Sequence, residues 1–581
     1  MAQIDTFTDS AAPEPVRRAR QMTIVAQDPS VRVDERIVRA QVAVPVDRLE
    51  PGPRSHRLHI VDYDATAGRL GVRADLTNPA DEGPLRGWSY RDRFALADDE
   101  VLEEDPAFHA QNVYAIVART LAQFEFALGR RVEWEFGHQL FVVPHAFAEG
   151  NAHYSREDHG LFFGYLPRSD GTTVYTCLSH DIVCHETTHA ILDGLRPRLL
   201  EPGLPDQLAF HEALGDIVAM LSVFSLPELL DATLGKPDKQ GRIPAEMVEP
   251  DRLASSVLFG LAEQFGEATS GVRGSALRRS LTLAPGDAWR DDEAFEEPHR
   301  RGEVLVAAVL RALLSIWTGR IKDLIHHDAL NRRRAAEEGA KAAQHLLTMM
   351  IRALDYAPAV ELEFEDVIDA VIVSDEVIAP DDQHDYRRAV REAFAAYGIQ
   401  QPSGRTIDLA ENAQRFTYEH LNAAALRSSR DEIFRFVWQN LEALGLKSEW
   451  NIEIEALRPA VRVGPDGLIV SEIVADYVQV VDLTVGQARA IPGLGLPVGL
   501  TDDVPVQMWG GGTLVFDQFG RVKLHQRKPL DDWNRQSRRL HYLVRQGRFD
   551  TRGRLGFSMG ARAGMNFADL HAPDEHAGED W

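Results

Sequence analysis

Apolar residues recur at helical spacing through residues 108–128, where Val113, Ile116, Val117, Leu121, Phe124 and Leu128 fall on one face and predict an amphipathic helix. Before it, alternation of apolar and polar positions at 37–44 and 58–63 predicts short strands broken by Pro and Gly. These either open the main folded unit or form a small module of their own. After it, the runs 140–143, 161–165 and 172–177 read as further strands. The pattern then turns helical, first at Leu214, Ile217, Val218 and Leu221, and again over 304–317, 335–353, 364–373 and 386–396. Past residue 400 it mixes: a helical segment around 416–444, strand-like runs at 467–470, 477–481 and 514–516, and a hairpin turn at 517–520. The order predicts an α+β protein in segments: a mobile tail (1–35), a β-rich stretch (36–99), an α/β lobe (100–230), an all-helical lobe (231–400) and a mixed α/β C-terminal accessory domain (401–581).

One helical stretch carries chemistry. In residues 181–193, His185-Glu186-Thr187-Thr188-His189 places two imidazoles one turn apart on the same face, able to reach one metal ion. Zinc accepts neutral imidazole nitrogens, and a catalytic zinc takes three protein ligands plus a water. Glu186, beside the first His, is placed to take that water's proton. The helix-like stretch 207–221 supplies a third ligand: Glu212 and Asp216 lie four apart, off its apolar stripe. A buried pair of acids is costly unless each has a partner. A metal for Glu212 and the N–H of a ligand imidazole for Asp216 would satisfy both. Glu201 is nearer in sequence but lies in a Pro-rich loop and lacks an Asp one helical turn later, and the alternative spacings of a third ligand after the second His fall on Leu208 or Leu195.

H-E-x-x-H followed by a helix carrying E-x-x-x-D resembles the gluzincin metallopeptidases, specifically the thermolysin family, over roughly residues 100–398. The resemblance implies a two-lobed fold with the cleft between an α/β and an all-helical lobe, one catalytic Zn2+ on His185, His189 and Glu212, Glu186 as base, and endopeptidase activity. It gives Asn151 and Ala152, in Asn151-Ala152-His153-Tyr154, the role of a substrate-binding edge strand. It makes Arg278 a contact to the substrate carbonyl, His299 an oxyanion stabiliser, and Asp216 the acceptor that orients a zinc imidazole. An edge strand has unpaired amide and carbonyl groups to offer an extended peptide. Asp193, four after His189, either faces the site as a further acceptor or is a solvated acid at a helix end. Asp181 reads as the N-cap of the motif helix. The family's calcium carboxylates are replaced by Leu221, Ser222 and Val223, so structural Ca2+ is not expected.

The chain departs from the family in three places. Twenty-two residues separate His189 from Glu212, slightly more than usual, and Pro197, Pro202 and Pro205 fit a loop insertion there. The family's second oxyanion donor, a Tyr, corresponds to Leu200, and no Tyr lies between Tyr175 and Tyr356. Loss of one such donor typically costs about 10²–10³ in rate. His299 also stands one residue closer to Gly302 than the family pattern has it. These departures keep open a second reading: a zinc-stabilised binding or scaffold protein that acts through its C-terminal domain.

Composition narrows the rest. A net charge of -26 over 581 residues argues against general nucleic-acid binding. No run of eighteen apolar residues exists, so no membrane span is expected. Cys177 and Cys184 are the only cysteines, which fits a reduced compartment better than a disulfide framework. The first 35 residues have no apolar h-region, so a cytoplasmic location is expected, with non-standard export open. Residues 521–554 hold eleven Lys or Arg against three Asp. That basic stretch either docks on a partner, a polyanion or the chain's own catalytic unit, or is a solvated face. Gly510-Gly511-Gly512 precedes a strand without a following Lys-Ser, which argues against a phosphate loop.

Overall fold

The computed structural model describes residues 19–78, 87–168, 171–201, 203–253, 280, 282–402, 414–464 and 467–546. Helices and strands are both abundant, in a mixed α+β arrangement. Strand β1 (Ala19–Val25) pairs antiparallel with β2 (Arg39–Pro45), and Met22, Ile24 and Val25 are fully buried. Residues 19–35, expected within a mobile tail, therefore include a core strand; Asn112 accepts from the Val25 amide at 3.0 Å and ties it to the first long helix.

The predicted helix is α1 (Pro106–Leu128), with Asp105 as its N-cap, Pro at its start and Gly129 in the left-handed region at its end. Around it lies a five-stranded sheet. β3 (Leu58–Ile60) runs parallel to β4 (Leu140–Phe147), which runs parallel to β6 (Gly160–Pro167). β5 (Ala152–Ser155) and β7 (Thr173–Tyr175) flank β6 antiparallel.

Two buried helices follow, α2 (His180–Leu195) and α3 (Pro205–Phe224), and then α4 (Pro298–Ile321), α5 (Arg332–Ala353), α6 (Phe364–Ile378) and α7 (Tyr386–Ala395). By length and hydropathy α3 and the segment 298–324 could cross a membrane, but 89% and 67% of their apolar windows are buried inside the protein. They are the helices about which the core packs.

The C-terminal segment adds helix α8 (Arg430–Gln439), an antiparallel sheet of β8 (Asn451–Val463), β9 (Ile469–Thr484), β10 (Pro505–Phe516) and β11 (Val522–Lys528), and helix α9 (Trp533–Arg545). The turn at 517–520 is the β10–β11 hairpin, and Gly510 to Gly512 lie inside β10 instead of before a strand. This sheet joins the main core through Val474, Val515 and Leu524 and has smaller cores of its own.

A belt of buried ion pairs crosses the same seam. Arg196 meets Asp476 at 2.7 Å, Arg462 bridges Asp355 and Glu472, and Arg535 and Arg539 clamp Glu361, while Arg130 holds Asp355 at 2.8 Å from its own side of the seam. The basic stretch docks on its own chain: Lys523 pairs with Glu472, Lys528 with Glu363 and Asp366, Arg538 with Glu363 and Arg545 with Glu296. Its residues after 546 lie outside the described residues, as does Arg278.

Candidate metal centre

The motif helix α2 starts at His180 on the cap residue Ser179, which donates its hydroxyl to Asp28. Asp181, expected to be that cap, lies one position inside the helix, where an acid still favours the positive end of the helix dipole. Nearly every residue of α2 is buried, so the His-Glu-x-x-His face cannot be solvated. Thr187 and Thr188 return their hydroxyls to the carbonyls of Val183 and Cys184 at 2.6 and 2.8 Å, satisfying them within the helix.

α3 crosses α2 and presents Glu212 to both imidazoles. Nε2 of His185 and Nε2 of His189 are each 3.7 Å from Oε2 of Glu212. One ligand atom from each of the three residues lies within 4.8 Å of the others, all of them buried. Two donors at about 2.1 Å from one ion can stand at most about 4.2 Å apart, so the 3.7 Å separations allow a shared ion. Asp216, one turn after Glu212, accepts from Nδ1 of His185 at 2.9 Å. That bond fixes the tautomer and turns Nε2 toward Glu212. The donor chemistry and spacing thus fit a zinc-class cation.

The close crossing of the two helices depends on a residue with no side chain. A Cβ at Gly215 would stand 2.8 Å from Nδ1 of His185, too close for any ordinary contact. Gly302 plays the same part between α3 and α4, where a Cβ would stand 3.0 Å from the Ala209 carbonyl oxygen. α4 begins at Pro298 on the cap Glu297, whose carboxylate accepts from the amides of His299 and Arg300 and from Nδ1 of His299 at 2.7 Å. The ring of His299 is thereby aimed at the site, with Nε2 3.2 Å from Oε2 of Glu212.

The electrostatics follow from that geometry. Burial alone would raise the Glu212 carboxyl, but the imidazoles of His189, His299 and His185 outweigh it and hold it well below the usual range. Burial alone would lower His299, and the Glu212 and Glu297 carboxylates overturn that and lift it to about 10. In the absence of a metal, His299 is therefore an imidazolium held between two carboxylates.

Strand β5 reaches the site from the other side. The amide of Tyr154 donates to Oε2 of Glu186 at 2.9 Å, so the residue beside the first imidazole is held by backbone. Asn151 closes the turn ahead of β5: its carbonyl accepts from Gly164 and its side chain from the Ala152 amide, both at 2.8 Å. Ala152 is buried and opens the strand. Asp193, weighed as an acceptor facing the metal site, instead accepts from the Tyr154 hydroxyl at 2.8 Å and from Arg156, and joins β5 to the end of α2. Tyr154, Glu297, Gly215 and the buried His211, whose ring stacks on His189 at 4.6 Å, are the neighbours that sequence reasoning did not single out. A glycine in the middle of an otherwise apolar helix was the one available signal for Gly215. Compared with protein-family models and with curated proteins, the sequence matches none of them.

Proposed function

We propose that the protein is a zinc-dependent endopeptidase of thermolysin-like, two-lobed design, with the cleft between the strand-bearing region around β5 and the helices that follow α3. The observation that supports this reading most is the convergence of His185, His189 and Glu212 beside Glu186, with β5 hydrogen-bonded to Glu186 itself. Zinc, when bound, would supply Lewis acidity and a water of lowered pKa. Glu186, steadied by the Tyr154 amide, takes the proton of the attacking water and passes it to the leaving amine. β5 lends its backbone to an extended peptide through Asn151 and Ala152. His299, set by Glu297, stabilises the developing oxyanion, while Asp216 keeps His185 in its ligand tautomer. Arg278 keeps only the role that the resemblance gives it.

The missing Tyr favours one competing reading, a zinc-stabilised scaffold, because the described residues around Leu200 offer a buried apolar side chain in that donor's place. Glu186→Gln separates the two. On the peptidase reading this change keeps the metal and lowers peptide hydrolysis by about 10² or more. A wild-type protein that binds zinc but cuts no peptide in a library would establish the scaffold reading instead.

We also infer that α9 restrains the site, since Arg545 pairs with Glu296, next to the cap of His299. Hydrolysis by Arg545→Ala at the wild-type rate contradicts this.

A further inference from the structure

A second cluster of candidate ligands gathers where α1, β4 and the turn before the motif helix meet. His109 comes from α1 and is buried; His145 comes from β4; Cys177, fully buried, comes from the turn Thr176–Leu178 that leads into α2. Nε2 of His109 stands 2.9 Å from the Glu103 carbonyl oxygen, and Nδ1 of His145 stands 2.8 Å from Oδ1 of Asp62. Both oxygens can only accept, so both of those nitrogens must carry the ring proton. The remaining nitrogens, Nδ1 of His109 and Nε2 of His145, then face each other as lone pairs 2.7 Å apart. Two neutral imidazoles cannot rest that way without a cation between them.

Three features favour a metal ion over a shared proton. The Cys177 sulfur joins the two nitrogens, with all three ligand atoms within 4.8 Å of one another. The far nitrogens hold a carboxylate and a backbone carbonyl, the partners that ligating imidazoles use to fix their tautomer. The side chain of Asp62 is 21% exposed and that of His145 13%, so solvent can reach the cluster to deliver an ion and fill a fourth position. We propose that His109, His145 and Cys177 form a second, thiolate-ligated site for a zinc-class divalent cation, separate from the His185, His189 and Glu212 centre. Donors at about 2.0–2.1 Å from a tetrahedral ion stand roughly 3.3 Å apart, so the two rings separate by about half an ångström on loading. The thiol gives up its proton to solvent as the ion binds. The ion would pin helix α1, strand β4 and the turn that launches the motif helix; the Asn112 side chain already holds the Cys177 carbonyl in that turn at 2.9 Å.

Cobalt(II) gives the test, because only a thiolate ligand produces a sulfur-to-cobalt charge-transfer band in the near-ultraviolet. The full chain, stripped by chelator and reloaded with Co2+, is expected to show that band and to bind one equivalent more than Cys177→Ser does. Cys177→Ser and His145→Gln lose both the band and that equivalent, the latter being a milder change at a partly exposed ring. Glu212→Gln loses an equivalent but keeps the band, which separates this site from the other. Wild-type protein without the band, or a band that survives Cys177→Ser and disappears in Cys184→Ala, overturns the proposal; the former leaves the two rings sharing a proton.

Discussion

Gly215 is the residue on which the distance between the two helices that carry the candidate ligands turns. Alanine there is a good helix former and would stabilise an isolated α3, yet its Cβ would press within 2.8 Å of Nδ1 of His185, the atom bound by Asp216. Gly215→Ala is therefore expected to leave helix content intact and weaken zinc binding by about 10- to 100-fold, as disturbing a ligand's outer partner does. Equal zinc affinity in a competition titration would show that the crossing has slack. At this scale the candidate ligands were legible in pairs, because helical spacing puts His185 and His189 on one face of one helix and Glu212 and Asp216 on one face of another, and the family resemblance joined the two. Asp193 was not, since its partners Tyr154, on β5, and Arg156, in the turn after it, lie nearly forty positions earlier, and no local pattern reports such a pairing. The facing pair His109 and His145 was invisible for the same reason.

Among the elements, α4 couples stability to the site. Its cap Glu297 satisfies two backbone amides and holds His299 with the same carboxylate. Glu297→Ala is expected to cost about 0.5–2 kcal/mol in unfolding free energy, the usual loss for a cap. It should also lower kcat by roughly tenfold with the zinc content unchanged, since His299 loses its orientation. A loss of stability with kcat intact would confine Glu297 to capping. The long helices and most strands were legible because each carries an uninterrupted period, as α1 and α5 do. β1 was misjudged as tail: the charged and Pro-rich residues before it masked a short strand whose burial comes from pairing with β2 and packing on α1. Asp181 was likewise read as the cap of α2, and Ser179, two positions earlier, takes that place.

In the whole molecule, the C-terminal sheet and the rest of the chain share buried charges, so cutting near residue 400 would leave Glu361 without the arginines that face it and Asp355 with Arg130 alone. Removing one partner of a buried pair costs about 3–5 kcal/mol. Point changes therefore probe this seam better than truncation. Glu455 on β8 meets Arg198, which follows the motif helix, and burial outweighs that arginine and pushes the carboxyl up to about 7. The folded state thus holds a proton that the unfolded chain releases near pH 4.3, and stability falls as pH rises between the two values. Glu455→Gln should flatten that fall and be more stable than wild type at pH 8, by at most about 3 kcal/mol and less with screening at a side chain one quarter exposed. Arg198 keeps Glu201 as a partner at 2.8 Å in that variant. Identical slopes of unfolding free energy between pH 5 and pH 8 would refute the assignment. Of this seam only the basic stretch 521–554 was legible, as one that could dock on its own chain; its partners and the pairs of Arg196 and Arg198 were not, because each joins residues far apart in the chain.

On the proposed reading, His185, His189 and Glu212 hold the ion on which peptide hydrolysis depends. Digestion of a peptide library by the purified full chain, followed by metal removal and return of stoichiometric zinc, tests it most directly. Cleavage should disappear with the metal, return with zinc, and fail to return in Glu212→Gln. Cleavage that persists in the stripped protein, or that zinc restores equally in Glu212→Gln, would contradict the account.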